Sequence, residues 1–398
     1  MAAAPAASVA RRSSAVAPPT EDRTPARSRP AAFHDLRVAA IDRITDDSVA
    51  ITFDVPPELA EDYAHRAGQH VSVMFTDAGS GPDQVRRSYS ICTPAGSGLL
   101  RIGVKRLPDG VFSTYAMDQL RVGDRLAVLT PSGTFGPRPG EASPVREDGP
   151  ERRNYGAVAA GSGITPVLSI VTTILDTEPS SRVTLVCVNR TSADIMFLEE
   201  LEDLKDRYTQ RLQVLHVLGH ESQDAELLSG RLDEQRLTGL LDTFGPAADQ
   251  TRAWFLCGPI GLTDMVATTL AARGVHPTAI HRELFHADAV PVRRPLPAVG
   301  RGEAIDGCAV TVVLDGRSTR FTMRPDTEPI LDAVQRVRSE VPFACTNGVC
   351  GTCRCRLTDG TVEMVQNFAL EPDELDRGYV LACQSYPTSP TVVVDFDQ

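Results

Sequence analysis

Cys345-Thr346-Asn347-Gly348-Val349-Cys350-Gly351-Thr352-Cys353 carries three thiols at C-x4-C-x2-C spacing, and a fourth, Cys383, follows after 29 intervening residues. This is the ligand spacing of a plant-type [2Fe–2S] cluster. Each iron takes two thiolates, so four sulfurs have to converge, and a short loop delivers three only if its backbone folds tightly. Gly348 and Gly351 supply that freedom, because glycine accepts φ > 0. Cys383 lies in an extended-looking run, 380–384, and brings the fourth sulfur from elsewhere in the fold. A zinc site wants paired C-x2-C units or histidines, and no His follows His286. A disulfide framework is out of keeping with 398 residues of ordinary composition. Cys355 stands two residues past Cys353 on a strand-like stretch and reads as a buried thiol rather than a ligand.

Around this loop, residues 307–398 read as one small domain. Two strands, 309–314 and 318–323, flank Asp315-Gly316 as a hairpin. A helix over 330–337 follows Pro329, and strands at 354–357 and 391–396 come after the loop. About 90 residues is small for independent stability, so a cluster would help hold the domain together. Upstream, 288–306 is rich in proline and arginine and reads as a semi-rigid linker.

Residues 151–287 alternate strand and helix, which implies a doubly wound parallel sheet. The first strand runs into Gly161-Ser162-Gly163-Ile164-Thr165-Pro166. The glycines let backbone approach a pyrophosphate, and proline suits the first turn of a helix. A later strand ends in Cys257-Gly258-Pro259 before another helix. Ligands in such sheets bind outside the carboxyl ends of the strands, where both segments fall. Asn189-Arg190 follows the second strand, where the ribose is read. An acid there would favour NAD, whereas Arg190 offers a fork for a 2′-phosphate, with Asp194 as a nearby counterweight. The expected donor is therefore NADPH, with a preference of about ten- to a hundredfold.

Residues 33–150 hold short β-rich runs separated by Gly, Pro and Asp, the pattern of a small antiparallel barrel. One strand carries Arg87-Ser88-Tyr89-Ser90, with Arg87 and Tyr89 on one face and Ser88 and Ser90 on the other. Further on, Gly110-Val111-Phe112-Ser113 opens a helix. Ser113 reads as its N-cap, beside free N–H groups that favour a diphosphate and hence FAD over FMN. A Pro/Gly/Glu/Arg-rich stretch at 137–153 marks the boundary with the α/β domain. Residues 1–32 contain no aromatic side chain and read as a disordered tail.

In this order, the Arg-x-Tyr-Ser, Gly-x-x-Ser, Gly-x-Gly-x-x-Pro and Cys-Gly-Pro motifs and the cysteine loop resemble the ferredoxin–NADP reductase family, in the branch with a C-terminal plant-type ferredoxin. Gly68-Gln69, Gly123-Asp124 and Gly133-x-Phe135 resemble its barrel turns. The resemblance covers nearly all of 33–398. It implies a flavin barrel, an α/β nucleotide domain and a β-grasp [2Fe–2S] domain. It gives the flavin diphosphate to Arg87, Gly110, Val111 and Ser113, stacking on the ring to Tyr89, and contact with the ring edge to Ser90, with Ser88 beside them. It gives the nucleotide to Gly161, Ser162, Gly163, Thr165, Pro166, Asn189, Arg190, Gly258 and Pro259. Cys257 is set beside the nicotinamide, with Glu283 and Phe285 close to the flavin, so that Cys257, Ser90 and Glu283 are the catalytic candidates. The cluster falls to Cys345, Cys350, Cys353 and Cys383. His281 and His286 show no ligand spacing.

The implied path runs from nicotinamide to FAD, from FAD to the cluster, and from the cluster to an external oxygenase. Met364, 367–371, Gly378, 383–385, 387–389 and 394–397 resemble the reductase components of phenylacetyl-CoA epoxidases, a resemblance that implies a role in phenylacetate breakdown. Reductases of ring- or steroid-hydroxylating oxygenases use the same modules. An iron–sulfur redox sensor with a vestigial nucleotide domain is the non-enzymatic alternative. The acids Glu363, Glu371, Asp373, Glu374 and Asp376 follow the loop and as a group read as a surface that steers a basic partner.

Composition agrees. Hydrophobic residues make up 42% and charged residues 23%, enough for a sizeable core. A net charge of −12 argues against nucleic acid. No apolar run reaches the length of a membrane span. Nine scattered or clustered cysteines suit a reducing, cytoplasmic setting.

Overall fold

The computed structural model describes residues 14–16, 31–76, 84–137, 153–246, 251–285, 307–325 and 327–398. The chain folds as two compact units, Ala31–Asp288 and Ala289–Gln398, the latter joined by Met1–Pro30. The first strand, β1 (Ser14–Val16), belongs to that latter unit.

In the larger unit, β2 (Phe33–Thr45), β3 (Ser48–Asp54), β4 (His70–Thr76), β5 (Gln84–Ser90), β6 (Leu100–Lys105) and β7 (Arg125–Leu129) form one sheet. Its order is β5-β4-β7-β2-β3-β6, antiparallel throughout. A further antiparallel bridge, Ile91 to Ile102, joins the two ends and closes the expected barrel. Aliphatic side chains fill it: Leu36, Val38, Ile51, Val71, Val73 and Val128 have no exposure. Helix α1 (Val111–Asp118) packs through Phe112 against Phe75 and Tyr89, with ring centroids 5.2 Å apart in each pair.

The α/β part has five parallel strands: β8 (Asn154–Ala160), β9 (Arg182–Asn189), β10 (Leu212–Leu218), β11 (Thr251–Cys257) and β12 (Ile280–Glu283). Their order, β10-β9-β8-β11-β12, reverses between β8 and β11, which makes that junction the topological switch point. Alternation serves both faces. Ala157, Leu185 and Phe255 pack with α2 (Ile164–Thr177) and α3 (Leu198–Arg207). Their neighbours Val158, Val186 and Trp254 pack with α4 (Glu234–Phe244) and α5 (Ile260–Ala272).

The sequence reading separated barrel and α/β domain by a linker that lies mostly outside the described residues. The two nevertheless share one core, in which Ala50, Ala67, Cys92 and Phe135 join Tyr155 and Ile164. Helix α2 makes this possible by facing both: Ser169 Oγ donates to Thr93 O at 2.7 Å, and Thr173 Oγ1 accepts from Ala95 N at 2.9 Å. The proposed linker at 288–306 also lies outside the described residues.

The smaller unit is built on β13 (Cys308–Leu314), β14 (Arg317–Met323), α6 (Ile330–Gln335), β15 (Arg354–Asp359), β16 (Val362–Met364), α7 (Pro372–Asp376), β17 (Tyr379–Leu381), β18 (Ser385–Pro387) and β19 (Thr391–Asp395). Five strands form a mixed sheet, β14-β13-β19-β15-β17, with β13 and β19 parallel. At the hairpin turn, Asp315 and Gly316 adopt φ of 55° and 69°, and both N–H groups donate to the Asp397 carboxylate at 2.7 Å. The sequence reading missed β16, α7 and β18, all five residues or fewer and too short to show a period, while the run read as extended at 380–384 is strand only as far as Leu381 in β17 and turns at 382–384.

Part of the expected disordered tail is ordered here. β1 pairs antiparallel with β16, Ser14 opposite Met364, and completes a second sheet, β1-β16-β18. Strand addition is carried by backbone hydrogen bonds, which a reading of side-chain composition does not see.

Candidate functional site

Three strand ends in the larger unit meet at one carboxylate. Ser90 is the last residue of β5, Cys257 of β11 and Glu283 of β12. Ser90 Oγ donates to Glu283 Oε2 at 3.1 Å, and Cys257 Sγ lies 4.0 Å from the same oxygen. Burial, and then the charge of Glu283, push the Cys257 thiol well up, so it stays protonated beside the carboxylate. The three catalytic candidates, 193 and 26 residues apart along the chain, are thus brought together.

The switch point is tight. A Cβ on Gly163 would stand 2.3 Å from Cys257 O, and one on Gly258 2.9 Å from Ala160 Cβ. Gly161 has φ of 54° and open space where a Cβ would be. Gly161–Gly163 make one 3-10 turn, α2 begins at Ile164, Pro166 sits in its first turn, and Thr165 Oγ1 donates to Ser162 O at 2.8 Å. Pro259 is the N-cap of α5. Phe285 is half-buried against the shared core. His281 is structural: it is buried and stacks on Phe255 at 5.3 Å. His286 lies outside the described residues.

On the barrel, Arg87 is exposed and its Nη1 donates to Arg86 O at 2.8 Å. Ser88 Oγ lies 3.2 Å from Ser72 Oγ. Tyr89 rests against Phe112. The N-cap expectation is corrected: Gly110 is the N-cap of α1, and Ser113 lies inside the first turn. The Ser113 hydroxyl accepts from Leu107 N at 3.1 Å and donates to Gly110 O at 3.0 Å, so it braces the turn. A Cβ on Gly110 would stand 2.3 Å from Ser113 Oγ. The groups left for a phosphate are the N–H groups of the first turn, with Val111 at its head.

Arg190 follows β9, with its side chain 63% exposed and paired with Asp194. Asp47 lies 3.8 Å from it. Asp194 is held by Thr191, whose N–H and hydroxyl donate to it at 3.2 and 2.7 Å.

In the smaller unit, Cys345 and Cys350 sit within side-chain hydrogen-bond reach of each other, as do Cys353 and Cys383. Among the described residues, no three Cys, His, Asp or Glu side chains close around a single-ion position. The four thiols converge, Cys345 feeling both Cys350 and Cys383, and Cys353 both Cys383 and Cys350, as the four-cysteine ligand set of a [2Fe–2S] cluster requires. Thr346, Gly348 and Gly351 adopt φ of 56°, 75° and 67°, the tight loop expected from the glycines. Asn347 N and Thr352 N point at Cys345 Sγ and Cys350 Sγ at 3.4 and 3.5 Å. These donors fit thiolate ligands. Cys355 is fully buried in β15 with its sulfur 3.8 Å from Val380 O, and burial raises its pKa.

The acid-rich surface is smaller than its sequence. Glu374 is buried and paired with Arg354 at 2.6 Å, Glu371 and Glu374 close a capping box on α7, and Asp373 pairs with Arg377.

Family models match all three modules: a flavin (FAD) binding domain of oxidoreductases at 35–136, an oxidoreductase NAD-binding domain at 157–268, and a 2Fe-2S iron–sulfur cluster binding domain at 312–388. One component of the 1,2-phenylacetyl-CoA epoxidase of Escherichia coli K12 is 42% identical, over 92% of this chain and 98% of its own. The chain belongs to the family of modular flavin and iron–sulfur reductases. The ferredoxin reductase component of the 3-ketosteroid-9-alpha-monooxygenase of Rhodococcus rhodochrous is 31% identical to this reductase, over 91% of the chain and 96% of its own. Phthalate dioxygenase reductase shares the fold, with a TM-score of 0.54 at 23% identity over 91% of this chain and 98% of its own. The reductase therefore has FAD, NAD(P) and [2Fe–2S] domains. Among the described residues, no helix is long and apolar enough to cross a membrane.

Proposed function

We propose that the reductase takes electrons from NADPH and passes them through FAD and a [2Fe–2S] cluster to the oxygenase component of a phenylacetyl-CoA epoxidase, in the cytoplasm. The observation that carries the electron path is the meeting of Ser90, Cys257 and Glu283 at one place between barrel and switch point. A nicotinamide supplies two electrons as hydride, a flavin accepts them together and releases them singly, and the cluster carries one at a time.

The chain's own groups do the rest. The first turn of α1, with Arg87, binds a diphosphate, and Tyr89 offers its ring for stacking. Gly161–Gly163 and the start of α2 take the dinucleotide pyrophosphate, with Gly258 and Pro259 closing the other side. The bare backbone at Gly163 and Gly258 lets the two loops pack closely against each other beside Cys257. Ser90 holds its proton on Oγ, shared with Glu283. Cys345, Cys350, Cys353 and Cys383 would hold the [2Fe–2S] cluster, which carries one electron at a time.

The choice of acceptor rests on 42% identity across nearly the whole length of the epoxidase component. Mixing the purified reductase with NADPH, substrate and either the epoxidase or a steroid monooxygenase oxygenase tests it. Turnover with the epoxidase is expected. Turnover with the steroid enzyme alone would favour the reading that the second relative supports.

Arg190 carries the choice of NADPH. A 2′-phosphate reaches its exposed guanidinium and replaces Asp194, which Thr191 retains. A charge-assisted bond contributes roughly 1.5–3 kcal/mol and the exposed ion pair lost about 0–1 kcal/mol, so about a tenfold preference remains. Steady-state kinetics should show kcat/KM about tenfold higher with NADPH than with NADH, and Arg190→Ala should bring the ratio to about one. Equal efficiencies in the unmodified reductase would rule the assignment out.

A further inference from the structure

Gln384, the residue after Cys383, reaches across to the cysteine loop. Its Nε2 donates to Thr346 O at 2.8 Å and lies 3.7 Å from Cys383 Sγ. An amide nitrogen carries two hydrogens, so both contacts are made at once. Thr346 is a β-branched residue at φ of 56°, a left-handed region such residues avoid. The side chain also packs: its Cγ stands 3.1 Å from where a Cβ on Gly348 would be, a close approach beside a glycine at φ of 75°. The backbone of Gln384 is tied as well, its N–H to Leu381 O and its carbonyl to Val365 N, both at 2.9 Å. The amide therefore springs from a hydrogen-bonded turn between β17 and β18.

We propose that Gln384 is a positioning residue for the cluster: one amide hydrogen holds the Thr346 carbonyl and its left-handed turn, and the other is donated to the Cys383 sulfur. The inference rests on the ligand assignment above and deepens it. A hydrogen bond to a ligand sulfur stabilises the form with the added electron, because that form places more negative charge on sulfur, and so it raises the reduction potential. The two hydrogens have separable effects. Holding Thr346 keeps Cys345 and Cys350 in place and slows loss of iron. Donating to Cys383 sets how readily the cluster accepts an electron.

The test uses the full-length holoprotein with Gln384→Leu, Gln384→Glu and the double variant Gln384→Leu/Thr346→Gly. Leucine removes both donors at similar volume, and glutamate removes them and adds charge. In dye-mediated spectroelectrochemistry, the cluster midpoint should move to more negative potential in both single variants, further in the glutamate. Iron release to a chelator should be faster in both. The double variant separates the roles: glycine enters the left-handed region without strain, so iron retention should recover while the potential stays low. An unmoved midpoint in both single variants overturns donation to Cys383. If the leucine variant fails to hold a cluster at all, the double variant decides: a cluster with an unshifted midpoint overturns the proposal, and so does failure to recover any cluster. Absence of a [2Fe–2S] spectrum from the unmodified protein would instead defeat the ligand assignment.

Discussion

Replacing Cys345, Cys350, Cys353 or Cys383 with serine is expected to strip the cluster and abolish electron delivery to an oxygenase. The four thiols lie together, with Cys345 nearest Cys350 and Cys353 nearest Cys383. Loss of any one leaves an iron with a single protein thiolate. Cys355 is no substitute, because its sulfur is fixed in the core of β15 beside Val380 O. Cys355→Ser should therefore keep the cluster, at a cost in packing. Iron and sulfide analysis, with the visible spectrum, measures the outcome. Flavin reduction by NADPH, carried out in the Ala31–Asp288 unit, should persist in all four ligand variants. An intact cluster in Cys383→Ser together with its loss in Cys355→Ser would reverse the assignment.

Ser90→Ala should slow hydride-driven flavin reduction by about 10²–10³-fold, the usual effect of deleting one preorganised donor at a reacting centre. Alanine leaves the Glu283 carboxylate with Cys257, 4.0 Å away, in place of a hydroxyl at 3.1 Å. The cost in stability is only about 1 kcal/mol for the lost hydrogen bond, so the flavin should stay bound. Glu283→Gln separates orientation from charge, because the amide keeps an acceptor for Ser90 and removes the negative charge beside Cys257. Anaerobic stopped-flow bleaching of the flavin reads all three proteins. A rate in Ser90→Ala within twofold of the unmodified reductase would make Ser90 a structural residue and withdraw it from the reacting centre.

What could be read without coordinates was whatever a short window contains. The cysteine loop is nine residues long, and its spacing alone implied a cluster, a tight turn and the need for glycine at 348 and 351. Arg87–Ser90 and Gly161–Pro166 are similarly local, and the period of each run separated barrel strands from the α/β alternation. The strand limits came within a few residues, because β-branched runs and Gly or Asp breaks are signals between near neighbours.

Tertiary structure decided what depends on distant residues. Ser90 and Glu283 are 193 positions apart, and only barrel closure and the β11–β12 pairing put them 3.1 Å from each other. Ser113 had the right type for an N-cap, but its hydroxyl is committed to Leu107 and Gly110, which only the folded turn shows. Glu374 looked like one acid in a charged run until the fold buried it against Arg354. Pairing of Ser14–Val16 with Val362–Met364 left no mark on composition, because backbone groups carry it. Sequence by itself determined which chemical groups each module could offer. Packing across the chain determined which of them meet, since convergence depends on strand order and burial rather than on any local pattern.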